Sequence, residues 1–372
     1  MKLYSILRPY LLIIAVVLVS TFVLWLPFLL KLNGLNFLDI YKHYDGALYI
    51  IPAKTFYEVS KIDVPGVGFI LSLPLSPIYF AAHLPLFPIF IRIFYLGFGY
   101  LKSMLVVNLL FTILLSTLFY YVVKKFKITA KPLLLTSILL FLPRFLIVRS
   151  VGAPESLFIF CILLSLFFFE EKKYFFSGIT GMLAVMTKAP GILLFFAYVL
   201  TLVEEFIKTR KFKIQWISTL LIPCGLALVF LWYLKQYGDF FAFFHSTATV
   251  PMLYIFSVFN WKAKWVGTAW LEEILFYYFI YGLTVIYLKN SKYRSFFYFG
   301  LVFFTATLFI QHRDISRYSL PLWPLALIAF EKFFTSKKFL IIFVILLPAI
   351  YLFALNFLNY NLMPISDWTP FL

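Results

Sequence analysis

The sequence is poor in charge and in cysteine. Of its 372 residues only 13% are charged, whereas 63% are hydrophobic and 22% aromatic; typical globular chains are about a quarter charged. Residues 11–30 and 339–358 contain no Asp, Glu, Lys or Arg. These figures exclude an ordinary soluble protein and indicate that the bilayer is the main solvent. Cys161 and Cys224 both lie inside apolar runs, so we expect neither a disulfide framework nor a thiolate metal site.

Two further absences narrow the possible functions. The sequence has no glycine-rich phosphate loop of the P-loop or dinucleotide type, so it gives no support to nucleotide chemistry. The apolar runs leave no room for a large soluble domain, and we predict one transmembrane domain over residues 1–372. The formal net charge is +17, which in a soluble protein would indicate a nucleic acid partner. In a membrane protein the distribution of that charge among the loops has to be considered first.

Apolar runs separated by charge clusters predict an all-α, polytopic integral membrane protein with about eleven transmembrane helices. The predicted spans are residues 8–30, 101–123, 132–149, 154–169, 174–188, 190–203, 214–234, 271–288, 295–311, 319–334 and 339–358. Residues 67–98 are apolar but interrupted by glycine and proline. They are compatible with an interfacial segment, a re-entrant segment or an extra pair of spans.

The charge distribution predicts the orientation. With a cytoplasmic N-terminus, the connections on the inside are residues 124–131, 170–173, 204–213, 289–294 and 331–338. Together with Lys2 and Arg8 they hold 18 of the 32 basic residues and 5 of the 15 acidic ones, a net charge of +13, against +4 elsewhere. This bias fits the positive-inside rule and predicts a multi-pass cell-membrane protein. The long connections, 31–100 and 235–270, are then extracytoplasmic, and we expect the function on that side. Nucleic acid is no longer needed to explain the charge, and we expect no such partner.

The first long loop carries a cluster of ionisable side chains within 25 positions: Asp39, His43, Asp45, Glu58 and Asp63. A carboxylate in such a loop can act as a general base. The alternative is a solvated loop whose acids pair with Lys42, Lys54 and Lys61.

Three short motifs carry a family resemblance. Residues 44–53 (YDGALYIIPA), followed by Tyr57, resemble the (W/F)-D-G-x-x-Y-L-x-I-A-x-x-G-Y signature of GT-C glycosyltransferases of the PIG-V mannosyltransferase type. Residues 84–92 (LPLFPIFIR) are similar to the F-P-L-Y-P-x-L-I-R of that family, and residues 317–324 (RYSLPLWP) to the R-Y-x-L-P-x-x-P of GT-C proteins. The sequence departs from the first motif at Pro52 and Phe56.

The resemblance implies a GT-C-like fold with a long first extracytoplasmic loop and a hexosyltransferase activity. The donor would be a polyprenyl or dolichyl phosphate sugar, typically dolichyl phosphate mannose, and transfer would invert the anomeric carbon. Asp45 matches the acidic position of the first loop and would be the general base, with Asp39 as the alternative. Substrate-binding candidates at or beside the motifs are Tyr49, His43, Arg92 and Tyr318. The acceptor is left open as a glycolipid, polysaccharide or protein, and membrane lipids are further partners.

Cations are needed to hold the lipid phosphate as it departs. The candidates are Arg317, Lys188, Arg149 and Arg313, with His245 and His312 as weaker ones. A charge at membrane depth is costly and therefore indicates function, although Lys188 could instead extend to the interface. We expect Glu155 to pair with Arg149 or Arg144.

A metal site at His43 and Asp45 receives little support, because no cluster of ligands with metal-site spacing accompanies them. We expect His43 to be a solvated loop residue, and we predict transfer without a metal or other cofactor. Residues 235–270 resemble the long GT-C loop that closes over the donor, although an aromatic belt would explain their tryptophans equally well.

The alternative functions are a secondary transporter or lipid flippase, and a non-catalytic scaffold. A transporter usually carries helix breaks in related halves, whereas the break at residues 188–191 has no counterpart in the second half. The long, asymmetric outer loops therefore favour the enzyme.

Overall fold

The computed structural model describes residues 2–62, 75–246, 248–365 and 367–372, with side chains from residue 7 onward. Throughout these residues the regular structure is helical, apart from an isolated bridge between Met252 and Ile310. Five of the described helices are long and apolar enough to cross a membrane: Leu7–Leu29, Leu86–Lys125, Ala189–Thr209, Ile214–Tyr237 and Lys337–Tyr360. The protein is therefore all-α and membrane-embedded, as its composition predicts.

The longer helices are α1 (Lys2–Leu29), α5 (Leu86–Lys125), α6 (Pro132–Leu140), α8 (Glu155–Glu170), α9 (Tyr174–Thr187), α10 (Leu193–Thr209), α11 (Leu221–Tyr237), α13 (Glu272–Leu288), α14 (Arg294–Leu308) and α18 (Lys337–Tyr360). The short helices are α2 (Phe37–Ile40), α3 (Ile50–Thr55), α4 (Val59–Ile62), α7 (Pro143–Val148), α12 (Ala242–His245), α15 (Ile315–Tyr318), α16 (Trp323–Ala329) and α17 (Glu331–Phe334).

Two predicted spans are not continuous helices. Residues 132–149 divide into α6 and α7, because Pro143 cannot donate a backbone hydrogen bond and Leu142 before it is extended, with ψ 125°. Residues 319–334 also divide, because Pro321 and Pro324 each stand at the start of a new helical segment, and a further break follows at Phe330. The nine residues of α6 rise about 14 Å, far less than a hydrocarbon core of about 30 Å. These segments do not cross as single helices, and the total of eleven crossings stays a prediction.

Helix α5 begins earlier than predicted, at Leu86, and runs for 40 residues to Lys125. It bends at Gly99, whose φ of 70° and ψ of 167° favour glycine. Before the bend several apolar side chains are exposed, with Leu96 at 90%, which is typical of a helix at the membrane interface. Residues 63–74 lie outside the described residues, and they include 67–74, the beginning of the segment for which the number of crossings is open.

Helix α8 is at the centre of the packing. It lies between α5 and α9, while α9 packs on α11 and α10 packs on α14. In α5 the buried Asn108 donates Nδ2 hydrogen bonds to the carbonyls of Val148, at 2.8 Å, and Val151, at 2.6 Å. A buried amide bonded in this way fixes the turn that leads into α8.

The five lysine-rich connections meet at one end of the molecule. Lys125 pairs with Glu171 at 2.7 Å, which joins the first connection to the second. Further polar contacts join the rest: Lys213 to Glu205, Arg294 to Glu204, Tyr293 to the Phe126 carbonyl, Lys172 to Glu205, and Lys131 to the Thr335 carbonyl. Near the N-terminus Tyr10 packs on Tyr120, close to the end of α5. We call this the lysine-rich end. The five connections and the N-terminal helix thus share one end, as predicted; which side of a membrane it faces stays a prediction.

Candidate functional site

Three ionic side chains from separate elements meet at the opposite end. Oε1 of Glu155 accepts hydrogen bonds from Nζ of Lys188 at 2.8 Å and from Nε of Arg317 at 2.7 Å. The side chains are 3%, 17% and 7% exposed, in that order. We call them the ion cluster. Its formal charge is +1, so it keeps an excess of positive charge in a mostly buried position.

Local sequence explains how these residues reach one point. Glu155 is the first residue of α8, where a negative charge is favoured by the helix dipole. Lys188 follows the last residue of α9 and is extended, with φ −149° and ψ 135°, because Pro190 cannot continue the helix. Arg317 lies in the single turn of α15, before Pro321 begins a new helical segment.

Aromatic rings cover the two cations. The Arg317 guanidinium carbon lies 3.9 Å from the centroid of the Tyr44 ring, and Nζ of Lys188 lies 5.7 Å from that of Tyr318. Cations bind to the faces of such rings. Burial raises the pKa of Tyr44 to about 12, so its hydroxyl stays protonated at neutral pH.

Asp45 follows Tyr44 directly and is half-buried beside the ion cluster. Its charge acts on Arg317 and Lys188 and also on Tyr49. Among the described residues no group donates a hydrogen bond to the Asp45 carboxylate, and no cation lies within 4.0 Å of it. The carboxylate is therefore able to accept a proton or a hydrogen bond from another molecule.

Gly46 explains why the loop can place Asp45 here. A Cβ atom at this position would come within 2.4 Å of the carbonyl oxygen of Gly152 and 3.0 Å of that of His43. Both neighbours are backbone atoms, so only glycine allows the first loop to pack this closely on the turn before α8.

A second layer holds the site from the side of α7. Arg144 lies 3.3 Å from Asp314, donates to Ser316 Oγ at 2.8 Å and donates to the Tyr44 hydroxyl at 3.2 Å. Its guanidinium also covers the ring of Phe357 at 4.7 Å. Arg144 therefore connects three parts of the chain: the first loop, residues 314–316 and α18.

His43 is fully buried, so the prediction of a solvated loop histidine is wrong. Its Nε2 lies 3.1 Å from the carbonyl oxygen of Leu358, and its ring stacks on Phe357. Burial lowers the pKa of His43 to about 4, so the ring is neutral near pH 7 and its Nε2–H donates to this carbonyl. His43 thus anchors the loop to α18.

Tyr49 and Tyr318 lie near enough to Asp45 to be affected by its charge. Tyr49 is buried and packs edge-on against His83, with ring centroids 4.7 Å apart, while Tyr318 packs edge-on against His312. Nδ1 of His83 is buried without a hydrogen-bond partner among the described residues, and burial lowers the pKa of His83.

The other three arginine or phosphate-binding candidates lie apart from the ion cluster. Arg149 is buried and donates to Ser20, Thr21 and the Leu140 carbonyl, so the expectation that it or Arg144 pairs with Glu155 is wrong. Arg92 donates to the carbonyls of residues 53 and 54. Arg313 is exposed.

The acids of the first loop divide into two kinds. Asp39 pairs with Lys42 at 2.9 Å and closes the N-terminal cap of α2, and Glu58 pairs with Lys61. These acids form the loop ion pairs of the alternative interpretation, whereas Asp45 does not. Asp63 lies outside the described residues.

In the described part of the chain no three His, Cys, Asp or Glu side chains form a metal-binding group, and metal independence stays a prediction.

An apolar cleft of about 580 Å³ opens between α1 and α18. Its walls include Val16, Val19 and Val23 of α1 and Ile350 and Tyr351 of α18. Phe357, which contacts Arg144 and Tyr44, follows six residues later on α18, a rise of about 9 Å. The cleft therefore leads along α18 towards the ion cluster.

The sequence did not identify three members of this site correctly. The sequence predicts other partners for Glu155, points to Arg144 only as one of these partners, and does not point to His83. The available signal was Glu155 itself, an acid at the start of a strongly apolar helix, which has to find a cation.

Comparisons with known proteins leave the family unassigned. No protein-family model matches the chain, and no curated protein matches it by sequence.

Proposed function

We propose that the protein is a membrane glycosyltransferase that moves a sugar from a polyprenyl-phosphate donor to an acceptor hydroxyl. The observation that carries the proposal is the half-buried Asp45 carboxylate, without a hydrogen-bond donor among the described residues, beside the two cations that Glu155 holds together. An acid that accepts a proton and cations that hold a phosphate are the two groups that this reaction requires.

The roles follow from the charges. The acceptor hydroxyl attacks the anomeric carbon of the donor, the bond from this carbon to the phosphate oxygen breaks, and the configuration inverts. Asp45 takes the hydroxyl proton, while Arg317 and Lys188 stabilise the departing lipid phosphate through charge-assisted hydrogen bonds. Mannose as the sugar, the extracytoplasmic side and independence of metal are parts of the proposal that come from the family resemblance and the loop charges.

The length of α8 and the size of the apolar cleft support a lipid-linked substrate. Helix α8 has 16 residues and rises about 24 Å, less than a hydrocarbon core of about 30 Å. Glu155, at its start, is therefore below the level that a full-length span would reach from the lysine-rich end. A phosphate carried on a membrane lipid can reach such a depth, and the apolar cleft offers space for part of its chain.

The test is a transfer assay with purified protein, radiolabelled polyprenyl-phosphate mannose and a membrane glycolipid extract. We expect Asp45→Asn to lower the transfer rate about a hundredfold or more, since general-base catalysis contributes on the order of 10²–10⁴. Asp39→Asn is the matched control, because Asp39 is an acid of the same loop that is already paired with Lys42.

Each outcome bears on the proposal. Loss of transfer in the Asp45 variant alone supports it, whereas equal transfer by wild type and this variant removes Asp45 as the base. Loss in the Asp39 variant alone would make Asp39 the base. If the wild type transfers none of a set of polyprenyl-phosphate sugars but moves them across vesicle membranes, the protein is a lipid transporter instead.

A further inference from the structure

A cavity of about 350 Å³ opens at the lysine-rich end, far from Asp45. It lies between the end of α5, the turn from α13 to α14, and the junction of α16 and α17. Its charged lining consists of Lys127, Lys292 and Glu331, a formal charge of +1, and its volume is within the range of about 300–1,000 Å³ for small-molecule sites.

The walls of the cavity are held by contacts between two connections. The ring of Phe126 stacks on that of Tyr293 with centroids 4.4 Å apart, and the Tyr293 hydroxyl donates to the Phe126 carbonyl at 2.9 Å. Lys127 then turns the chain with a left-handed φ of 53°. The buried side chains of Leu288 and Ile328 complete the wall.

Some lysines at this end form ion pairs and others do not, and Lys127 and Lys292 are the two that line the cavity among the described residues. At the same end Lys125, Lys208 and Lys213 each pair with a glutamate. Among the described residues Lys127 and Lys292 have no acidic partner within 4.0 Å, although both are exposed and line one cavity. They can therefore bind an anion without first giving up an ion pair.

The surface beside the cavity is apolar. Tyr287 lines the cavity and is 63% exposed, and Phe279, Leu283 and Ile286 continue this exposed face along α13. An inorganic phosphate ion would make no contact with this apolar face. A phospholipid would place its phosphate at the lysines and its acyl chains along α13.

We propose that this cavity binds the headgroup of an anionic phospholipid, with Lys127 and Lys292 on the phosphate. Basic pockets between helices at the membrane surface bind lipid headgroups in this way. Glu331 and Ser291 also line the cavity and can accept hydrogen bonds from headgroup hydroxyls, as in phosphatidylglycerol. The site is independent of the proposed sugar transfer.

The test measures the full-length protein in a neutral detergent. Phosphatidylglycerol, phosphatidylcholine and glycerol phosphate are added separately, and both the apparent melting temperature and the lipid retained in native mass spectrometry are recorded. The test variant is Lys127→Ala with Lys292→Ala. The control is Lys211→Ala with Lys338→Ala, which removes the same charge from two exposed lysines at the same end of the protein.

We expect phosphatidylglycerol to stabilise the wild type and the control and to bind the test variant about thirtyfold more weakly, the loss expected when two lysines that line the site each contribute about 1 kcal/mol; the control lysines lie outside its lining. Phosphatidylcholine and glycerol phosphate should have little effect. Equal binding to wild type and test variant, or equal loss in the control, would overturn the proposal. A response to glycerol phosphate as large as that to the lipid would assign the site to a soluble anion and overturn it as well.

Discussion

The substitution Glu155→Gln keeps the shape of the side chain and removes the negative charge from between two cations. Oε1 of Glu155 now accepts one charge-assisted hydrogen bond from Lys188 and one from Arg317. In Glu155→Gln both cations keep a hydrogen bond to the amide oxygen, which is still charge-assisted because the donors are ionised, but each cation loses the attraction of the opposite charge. The cations also lose their common counter-ion.

The loss of the shared counter-ion sets the expected size of the effect. Removing one partner of a buried ion pair costs about 3–5 kcal/mol. Lys188 is partly exposed, which places the expected loss at the lower end, so we expect Glu155→Gln to lower the free energy of unfolding by about 3 kcal/mol. The measurement is unfolding in detergent micelles followed by circular dichroism.

Glu170→Gln is the matched control. Glu170 ends the same helix and accepts hydrogen bonds from the backbone nitrogen and the hydroxyl of Ser295. No described cation lies within 4.0 Å of the half-buried Glu170, so removing its charge also removes the cost of burying an unpaired carboxylate. This gain offsets the weaker hydrogen bonds to Ser295, and we expect a cost of about 1 kcal/mol or less. An unchanged Glu155 variant, or a Glu170 variant that is the less stable of the two, would refute the reasoning.

The same variant separates a structural role from a role in the site. Glutamine leaves Lys188 and Arg317 with a charge of +2 but without the carboxylate that orients them. We expect the transfer rate per folded molecule to fall while the KM for the donor stays the same or decreases. A Glu155 that only stabilises the fold would change the amount of folded protein and leave both kinetic constants unchanged.

Three further predictions concern the loop and the orientation. Gly46→Ala should destabilise the protein by about 1–3 kcal/mol, since the added methyl group meets backbone, whereas Gly97→Ala, with open space around it, should not; the assay is the same unfolding experiment. Because the pKa of His43 is about 4 when folded and near 6.5 when unfolded, its contribution is present above pH 6.5 and falls by about 3 kcal/mol between pH 6.5 and 4. His43→Gln should abolish this part of the pH dependence of unfolding. Single cysteines at Lys127 and Asp239, in a cysteine-free background, should react with a membrane-impermeant reagent from opposite sides, and reaction from the same side would contradict the orientation.

Much of the fold was predictable because it depends on local sequence. Apolar runs identified where helices form, and the lysine-rich connections that were assigned to one side do meet at one end. The break at Leu142 was not predicted, since hydropathy is insensitive to a single proline such as Pro143. The break at Phe330 was not predicted either, and no proline stands beside it. The extension of α5 to Leu86 was missed because Pro85 and Pro88 suggest a break, although proline is tolerated in the first turn of a helix.

The site was only partly predictable because it depends on contacts between distant segments. Asp45, Lys188 and Arg317 were each singled out, for a motif or for the cost of charge at membrane depth, and the structure brings them together. Arg149 satisfied the same argument but donates its hydrogen bonds to α1 and α6 instead. Which cations pair with Glu155 depends on how α8, α9 and α15 pack, and no single segment of the sequence determines that packing.

The charges of the site fit the proposed reaction in a further respect. Asp45, Glu155, Lys188 and Arg317 sum to zero, and a sugar phosphodiester brings one negative charge. When the sugar leaves, the lipid phosphate becomes a monoester with a charge of about −2, while the acceptor proton neutralises Asp45. The total therefore stays at −1 through the transfer. In a site of low dielectric constant a net change of charge is costly. A carboxylate that takes up the proton beside the two cations avoids that cost, and the neutral amide of Asp45→Asn cannot do so.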